Sequence, residues 1–215
     1  MIPLQACGIM YSAEPIEAWV VDAETKEPIE RVVVVAHWEL KGGLEGGNVM
    51  GQMMVMESVT DKNGRFYFPA WGPKWHLGWG SLGDSDPELI LFKSGYKLVA
   101  VSNSPYRGPT KSSRAKPTGS KRISLWSGQT IKMESFGGGL KEYAEHLSAM
   151  DTYLSFSYSG EDCEWKQMPH MIAAFFEEEK RFKEKNISNS LITIDEFPDR
   201  KKCGSAEEFL RSYLQ

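Results

Sequence analysis

Two stretches of this chain carry side chains from which binding chemistry could be built. In "AWGPKWHLGWG", Trp71, Trp75 and Trp79 recur every four residues with His76 among them, and the interleaved glycines and Pro73 forbid a regular helix. The segment therefore reads as a loop with two alternative uses. Exposed indoles would form a platform for a sugar or an apolar ligand, with His76 adding a hydrogen bond. Folded inward, the same rings would plug an open end of the fold. In "YRGPTKSSRAKPTGSKR", Arg107, Lys111, Arg114, Lys116, Lys121 and Arg122 stand among proline, serine and glycine with no acid. That stretch is either a loop for phosphate, carboxylate or an acidic partner, or a solvated loop that offsets nearby acids.

Motifs for covalent or metal chemistry are missing. The chain has no GxSxG, P-loop, HExxH or CxxC pattern, and His37, His76, His146 and His170 stand singly. Met50, Met53, Met54 and Met56 supply thioethers that suit cuprous ion, but methionines along a strand also fill an uneven core. No catalytic residue, metal or other cofactor is expected.

A hydrophobic content of 41% over 215 residues describes a globular chain. No apolar run reaches the roughly 20 residues a spanning helix needs. The net charge of −4 argues against nucleic acid as the partner. The charge is segregated, however. Nine basic residues and no acid lie between Leu89 and Met133, flanked by acidic segments on both sides.

The three cysteines divide by position. "Leu4-Gln5-Ala6-Cys7" resembles a bacterial lipobox, with Gln5 in place of the usual small or β-branched residue. This implies a chain that begins inside a signal peptide, lipidation at Cys7, and a periplasmic or cell-surface location anchored to the outer membrane. The alternative is an ordinary free thiol. With Cys7 lipidated, Cys163 and Cys203 remain as a disulfide pair in an oxidising compartment.

The elements that must position these residues are mostly strands. Ile16–Asp22, the turn "AETKEP" and the β-branched run from Arg31 to Leu40 form a first hairpin. "MMVMESVT", the tight turn "DKNG" and "RFYFPAW" form a second, and "ELILFKSGYKLVAV" and "RISLWSGQTIKMESF" follow. Short strands separated by turn signals predict an antiparallel β-sandwich over residues 14–136, preceded by an N-terminal segment, 1–13. Helical spacing then begins at Leu140. A second helix is expected over Pro169–Lys185, and a capping pattern at Ser205 and Glu208 precedes a third. Residues 137–215 thus read as a helical extension packed on the sandwich.

Asp22, Thr25, Pro28, Thr60, Asp61, Gly64, Phe66, Phe68, Gly95 and Tyr96 follow the pattern of a strand, a D-x-x-T-x-x-P-I turn, a T-D-x-x-G-x-F-x-F hairpin and a later GY. In this the chain resembles the carboxypeptidase regulatory-like domain, a transthyretin-like, immunoglobulin-like β-sandwich. The resemblance implies a secreted or surface-exposed accessory module, rarely catalytic. The expected function is that of a non-enzymatic envelope protein contacting another envelope protein or polysaccharide. The alternative is a structural subunit, homo-oligomeric through β-edge pairing. Two enzyme families share the sandwich. "Tyr106-Arg107-Gly108-Pro109" resembles the hydroxyisourate hydrolase tail but lies mid-chain, and "IEAWVVD" lacks that family's histidine. The two tyrosines and two histidines of intradiol dioxygenases have no close histidine pair here.

Overall fold

A computed structural model describes residues 9–43, 48–104, 120–159, 162–193, 197 and 202–214. The basic residues Arg107, Lys111, Arg114 and Lys116, the Tyr106–Pro109 tetrapeptide and Cys7 lie outside them. The chain is mainly β, with several largely antiparallel sheets and a few helices. Its strands are β1 (Ile9–Ala13), β2 (Ile16–Asp22), β3 (Val33–Gly42), β4 (Asn48–Val59), β5 (Arg65–Phe68) and β6 (Trp71–His76). They continue with β7 (Ser81–Leu82), β8 (Glu88–Phe92), β9 (Val99–Val101), β10 (Lys121–Arg122) and β11 (Thr130–Met133). The helices are α1 (Leu140–Met150), α2 (Ser155–Ser159), α3 (Pro169–Glu184) and α4 (Ala206–Leu210).

Three sheets form, in the orders β10-β1-β6, β11-β2-β5 and β4-β3-β8-β9, with β7 paired to the far end of β3. β11 runs parallel to β2, and β10 parallel to β1. Neither expected hairpin forms, because β2 and β3, and likewise β4 and β5, lie in different sheets. Strands β1, β6 and the two-residue β7 lie where none was expected. β1 falls within the N-terminal segment because its backbone pairs on both sides, with β10 and with β6. β6 covers half of the tryptophan segment, since glycine and proline exclude a helix without excluding an edge strand.

The β3-containing sheet is apolar on both faces. Val34, Ala36, Trp38 and Leu40 of β3, with Leu89 and Leu91 of β8, pack against Ile16, Ala18 and Val20 of β2, Phe66 and Phe68 of β5, and Ile131 and Met133 of β11. The alternate residues Val33 and Val35, with Ile90 and Phe92, face the helices and meet Leu147, Met171, Phe175 and Phe182. The period of two along each strand sends neighbouring residues to opposite cores, which is why the valine run carries no polar alternation. Phe92 and Phe175 close the helical side with ring centroids 4.8 Å apart.

The residues of the turn pattern are tied to backbone. Asp22 Oδ1 accepts from the N–H groups of Glu24 and Thr25 at 2.8 and 2.9 Å, and Thr60 Oγ1 donates to the Ile29 carbonyl while accepting from Val32 N–H. Gly64 has φ +71, and a Cβ there would lie 2.3 Å from the Val20 carbonyl oxygen, so only glycine fits. The methionines lie along β4. Met53, Met54 and Met56 pack against the strand-side core, and Met50 is exposed.

Side-chain contacts hold the helices to the sheet, and a disulfide ties the helical region to itself. The carboxylate of Glu57 on β4 accepts from the first N–H groups of α3, at 3.0 Å from His170 and 2.7 Å from Met171. It satisfies donors that no residue within the helix can reach. Cys163 and Cys203 form a disulfide with Cα atoms 5.6 Å apart across a sequence separation of 40. On the chain-entropy account, a loop of that length removes about 4 kcal/mol of unfolded-state freedom. Replacing both cysteines with serine is therefore expected to lower unfolding free energy by roughly 2–4 kcal/mol in denaturant titration. Reductant should then shift the wild-type midpoint and leave that of the double variant unchanged.

Candidate functional site

The tryptophan segment is divided between the core and the surface. Trp71 is buried at the start of β6, its ring edge-on to Trp38 with centroids 5.4 Å apart. Gly72 then adopts φ +95, where a Cβ would lie 2.6 Å from the Tyr11 carbonyl, so β6 can approach β1 only because the residue is glycine. Trp75 stands opposite Met10 and His76 opposite Ile9. Trp75 is 65% exposed, Leu77 75% and Trp79 85%. The His76 ring lies against Gly78, and its Nε2 is 3.2 Å from the Trp79 carbonyl oxygen, which folds the tip back on itself.

Both of the alternatives read from the sequence are thus used, by different residues. Trp71 plugs, while Trp75 and Trp79 are presented. The tip of β4 joins the same end, since Met50 lies beside the backbone of Gly80. Among the described residues, twelve large apolar side chains are exposed, and seven of them sit at this end: Ile9, Met10, Val49, Met50, Trp75, Leu77 and Trp79. Apolar residues scattered over a surface need no explanation, whereas a concentration of them at one end asks for one.

The two described residues of the basic stretch are placed differently from one another. Lys121 is exposed and pairs with Glu14 at 2.7 Å. Arg122 is buried, donates to the Leu82 carbonyl at 2.7 Å and lies over the Tyr11 ring, so it braces β7 against β1 from inside. Lys74 stands on β6 beside Trp75, and its Nζ lies 3.9 Å from Met54 Sδ.

Beneath the aromatic end is a polar cluster that the sequence did not announce. β7 pairs with Leu40 and Lys41, which brings the base of the tip to the end of β3. There, buried His37 stacks on Phe156 and its ring nitrogens lie 3.1 Å from Gln52 Oε1 and 3.2 Å from Glu88 Oε2. Lys41 pairs with Glu39 at 3.0 Å. Asp86 is buried, and burial pushes its carboxyl up to about 6. The N–H groups of Glu39 and Gly83 and the nearby His37 and Lys41 hold it down only in part. The one signal in sequence was a histidine inside a valine run. Its partners come from β4 and β8, and only the strand register joins them. Among the described residues, no group of three histidine, cysteine, aspartate or glutamate side chains is arranged to hold a metal ion.

No family model and no curated protein matches the chain. Among solved structures, it is similar to a 3-chlorocatechol 1,2-dioxygenase from Rhodococcus opacus 1CP, at 15% identity over 63% of this chain and 64% of that one, with a TM-score of 0.34. It is also similar to the dioxygenase domain of a dioxygenase carbohydrate-binding protein fusion from Streptomyces sp. SirexAA-E, at 14% identity over 62% and 83% of the two chains, with a TM-score of 0.30. A 9R-lipoxygenase from Cyanothece follows at 12% identity, 82% and 28% coverage, and a TM-score of 0.27. The chain therefore spans less than two thirds of the first of these proteins. The non-enzymatic accessory role expected from the sequence, with its surface-assembly alternative, is corrected at this point, because the first two of these structures are a dioxygenase and a dioxygenase domain. Likeness at these TM-scores assigns no activity to this chain in turn.

The buried carboxyl of Asp86 yields a pH dependence. Its folded-state value lies above the usual 3.8, so the unfolded chain ionises first as pH rises, and stability from this group is lost between about pH 4 and pH 6. A displacement of about two units corresponds to roughly 3 kcal/mol. The stability of wild type relative to Asp86→Asn should decline by up to that amount across this interval. Denaturant titrations of both proteins from pH 4 to pH 7 check it, and parallel curves would refute it.

Proposed function

We propose that this protein works at a lipid surface outside the cytoplasm, with a transthyretin-like β-sandwich over residues 14–136 as its rigid frame. On this reading the helical residues 137–215 cover the sandwich, and the Trp75–Trp79 end rests in the headgroup layer of a bilayer. The observation that carries the reading is the exposure of Trp75, Leu77 and Trp79 together with Met10, Val49 and Met50 at one end of the fold. Tryptophan suits the boundary between hydrocarbon and water because its ring is apolar and its N–H can stay hydrated.

Charge supports the same occupant. Lys74 lies beside Trp75 on β6, and the acid-free basic stretch runs directly into β10, the strand that pairs with β1 in the Trp75-bearing sheet. Basic residues beside an apolar surface attract anionic headgroups. The disulfide suits an oxidising compartment. Cys7 fits this arrangement as a lipidated anchor, since a single residue separates it from Ile9, the register partner of His76. One acyl chain gives only marginal attachment, and an apolar and basic surface beside it would supply the second contribution.

Co-sedimentation with vesicles tests the reading in the absence of any lipid anchor. Protein should bind vesicles containing phosphatidylglycerol more strongly than purely zwitterionic ones. Brominated acyl chains should quench part of the tryptophan emission. Trp75→Ala and Trp79→Ala should each weaken the partition coefficient about tenfold, roughly 1.4 kcal/mol of lost apolar burial, with an unchanged thermal midpoint. Failure of the wild type to bind vesicles, or equal binding by the Trp75→Ala/Trp79→Ala variant, would overturn the proposal.

A further inference from the structure

At the opposite end of β3 a groove of about 550 Å³ opens between the sheet and α3. Its sheet wall carries Arg31, Lys93 and Ser94, its helix wall Glu177 and Arg181, and between them lie the edges of Val33, Phe92 and Ala174. The two walls differ in how their charges are satisfied. Arg181 is paired with the buried Glu178 at 3.0 Å. Arg31 has no hydrogen-bonding or ion-pair partner for its guanidinium among the described residues. The Lys93 ammonium donates only to the Glu30 backbone carbonyl, at 2.8 Å.

Two cations thus share one wall with no carboxylate at ion-pair distance from either among the described residues, although the Glu30 charge acts favourably on Lys93. The Lys93 ammonium is held below its ordinary range, first by burial and then by the positive charge of Arg31. An anion placed between the two would relieve that repulsion, and a guanidinium and an ammonium would each bring charge-assisted hydrogen bonds to it. Arg31 is held in place by backbone rather than by a side-chain partner. It has φ +61, and its N–H donates to the Thr60 carbonyl at 2.9 Å. The opposite wall sets a limit on the ligand. Glu177 is exposed and unpaired among the described residues, so a second negative charge reaching the helix would be repelled.

We infer that this groove is a binding site for a small organic monoanion, a carboxylate head seated between Arg31 and Lys93 with an apolar body lying on Val33, Phe92 and Ala174. The inference is independent of the lipid-surface reading. The groove lies at the Val33 end of β3 and the tryptophan end at its Gly42 end, so the two can fail separately.

The probe is 4-phenylbutyrate, titrated into the full chain in detergent-free, vesicle-free buffer and followed by calorimetry and by chemical-shift changes. Saturable binding is expected, with the shifts confined to residues of the groove. Arg31→Gln and Lys93→Gln should each weaken affinity at least fivefold, and Glu177→Gln should tighten it. Added salt should weaken binding in the wild type. The matched cation 4-phenylbutylamine should bind at least tenfold more weakly, and citrate, with its three carboxylates, should also bind more weakly. Thermal melts establish that each variant is folded, and Arg31→Gln, at an exposed position, serves as the reference should Lys93→Gln unfold. Absence of saturable binding to the wild type, equal affinity in folded Arg31→Gln, or equal affinity for the amine would each overturn the inference.

Discussion

The constraint on which the structure depends is the two-sided burial of β3 and β8. Val33 and Val35 point one way and Val34 and Ala36 the other, and each set is almost wholly removed from water. A strand of this kind cannot lie on the surface of a two-layer structure, because one of its faces would then expose a continuous valine and leucine ridge. Strands cover one side and helices the other. It follows that the helices complete the core and are no detachable tail. Leu147, Phe175 and Phe182 are as deeply buried as the phenylalanines of β5. The Glu57 contact to α3 then makes sense as a tie between sheet and helix, since no backbone ladder joins the two, and the Cys163–Cys203 bond as a tie within the helical layer itself.

Burial on both faces also dictates where polar chemistry can sit. The middle of the sheet is closed to it, so charged groups collect where the strands run out. At one end are His37, Glu39, Lys41, Asp86 and Glu88, and at the other Arg31 and Lys93. The first collection is internally matched, with His37 between Gln52 and Glu88 and Lys41 on Glu39. This network aligns β4, β3 and β8, but at a cost, since the Asp86 carboxyl is buried and Gln52 Nε2 has no hydrogen-bond partner among the described residues. In the second, no carboxylate stands at ion-pair distance from either cation of the sheet wall among the described residues, and that wall opens on a groove.

The strands of the frame, the burial of the valine run, the role of Gly64 and the cysteine pair were legible in the sequence, because each follows from local chemistry. The two expected hairpins were not, since β2 pairs with β5 and β11 while β3 pairs with β4 and β8, so each turn joins strands of different sheets. A β-branched run states its burial, Asn-Gly states a turn, and two cysteines remaining after a third is set aside state a bridge. β1 was not legible. Its five residues gain order only from pairing with strands more than 50 residues away in sequence, and no local feature records that. The tryptophan segment was half legible. Its residue types excluded helix, but the division between a buried Trp71 and exposed Trp75 and Trp79 depends on Trp38 and on the close passage of β1 past Gly72. The candidate sites were legible only as residue types. His37 finds its partners through register, and Arg31 and Lys93 are brought together by two strands that are distant in sequence.

The length of β3 links the two candidate surfaces. Ten residues at about 3.3 Å each separate the two ends by roughly 30 Å, so the groove and the aromatic tip stand at opposite poles of one rigid strand. A fold resting on a bilayer by Trp75 and Trp79 would hold the groove well beyond the headgroup layer, open to the aqueous side. An apolar carboxylate partitions to membranes, and a cationic groove held at that height would meet it as it leaves the surface. With both proposals in place, the geometry would separate attachment from ligand capture. The tip can be altered without touching Arg31 or Lys93, and the stiffness of the β3-containing sheet, packed on both faces, is what keeps the two at a constant distance.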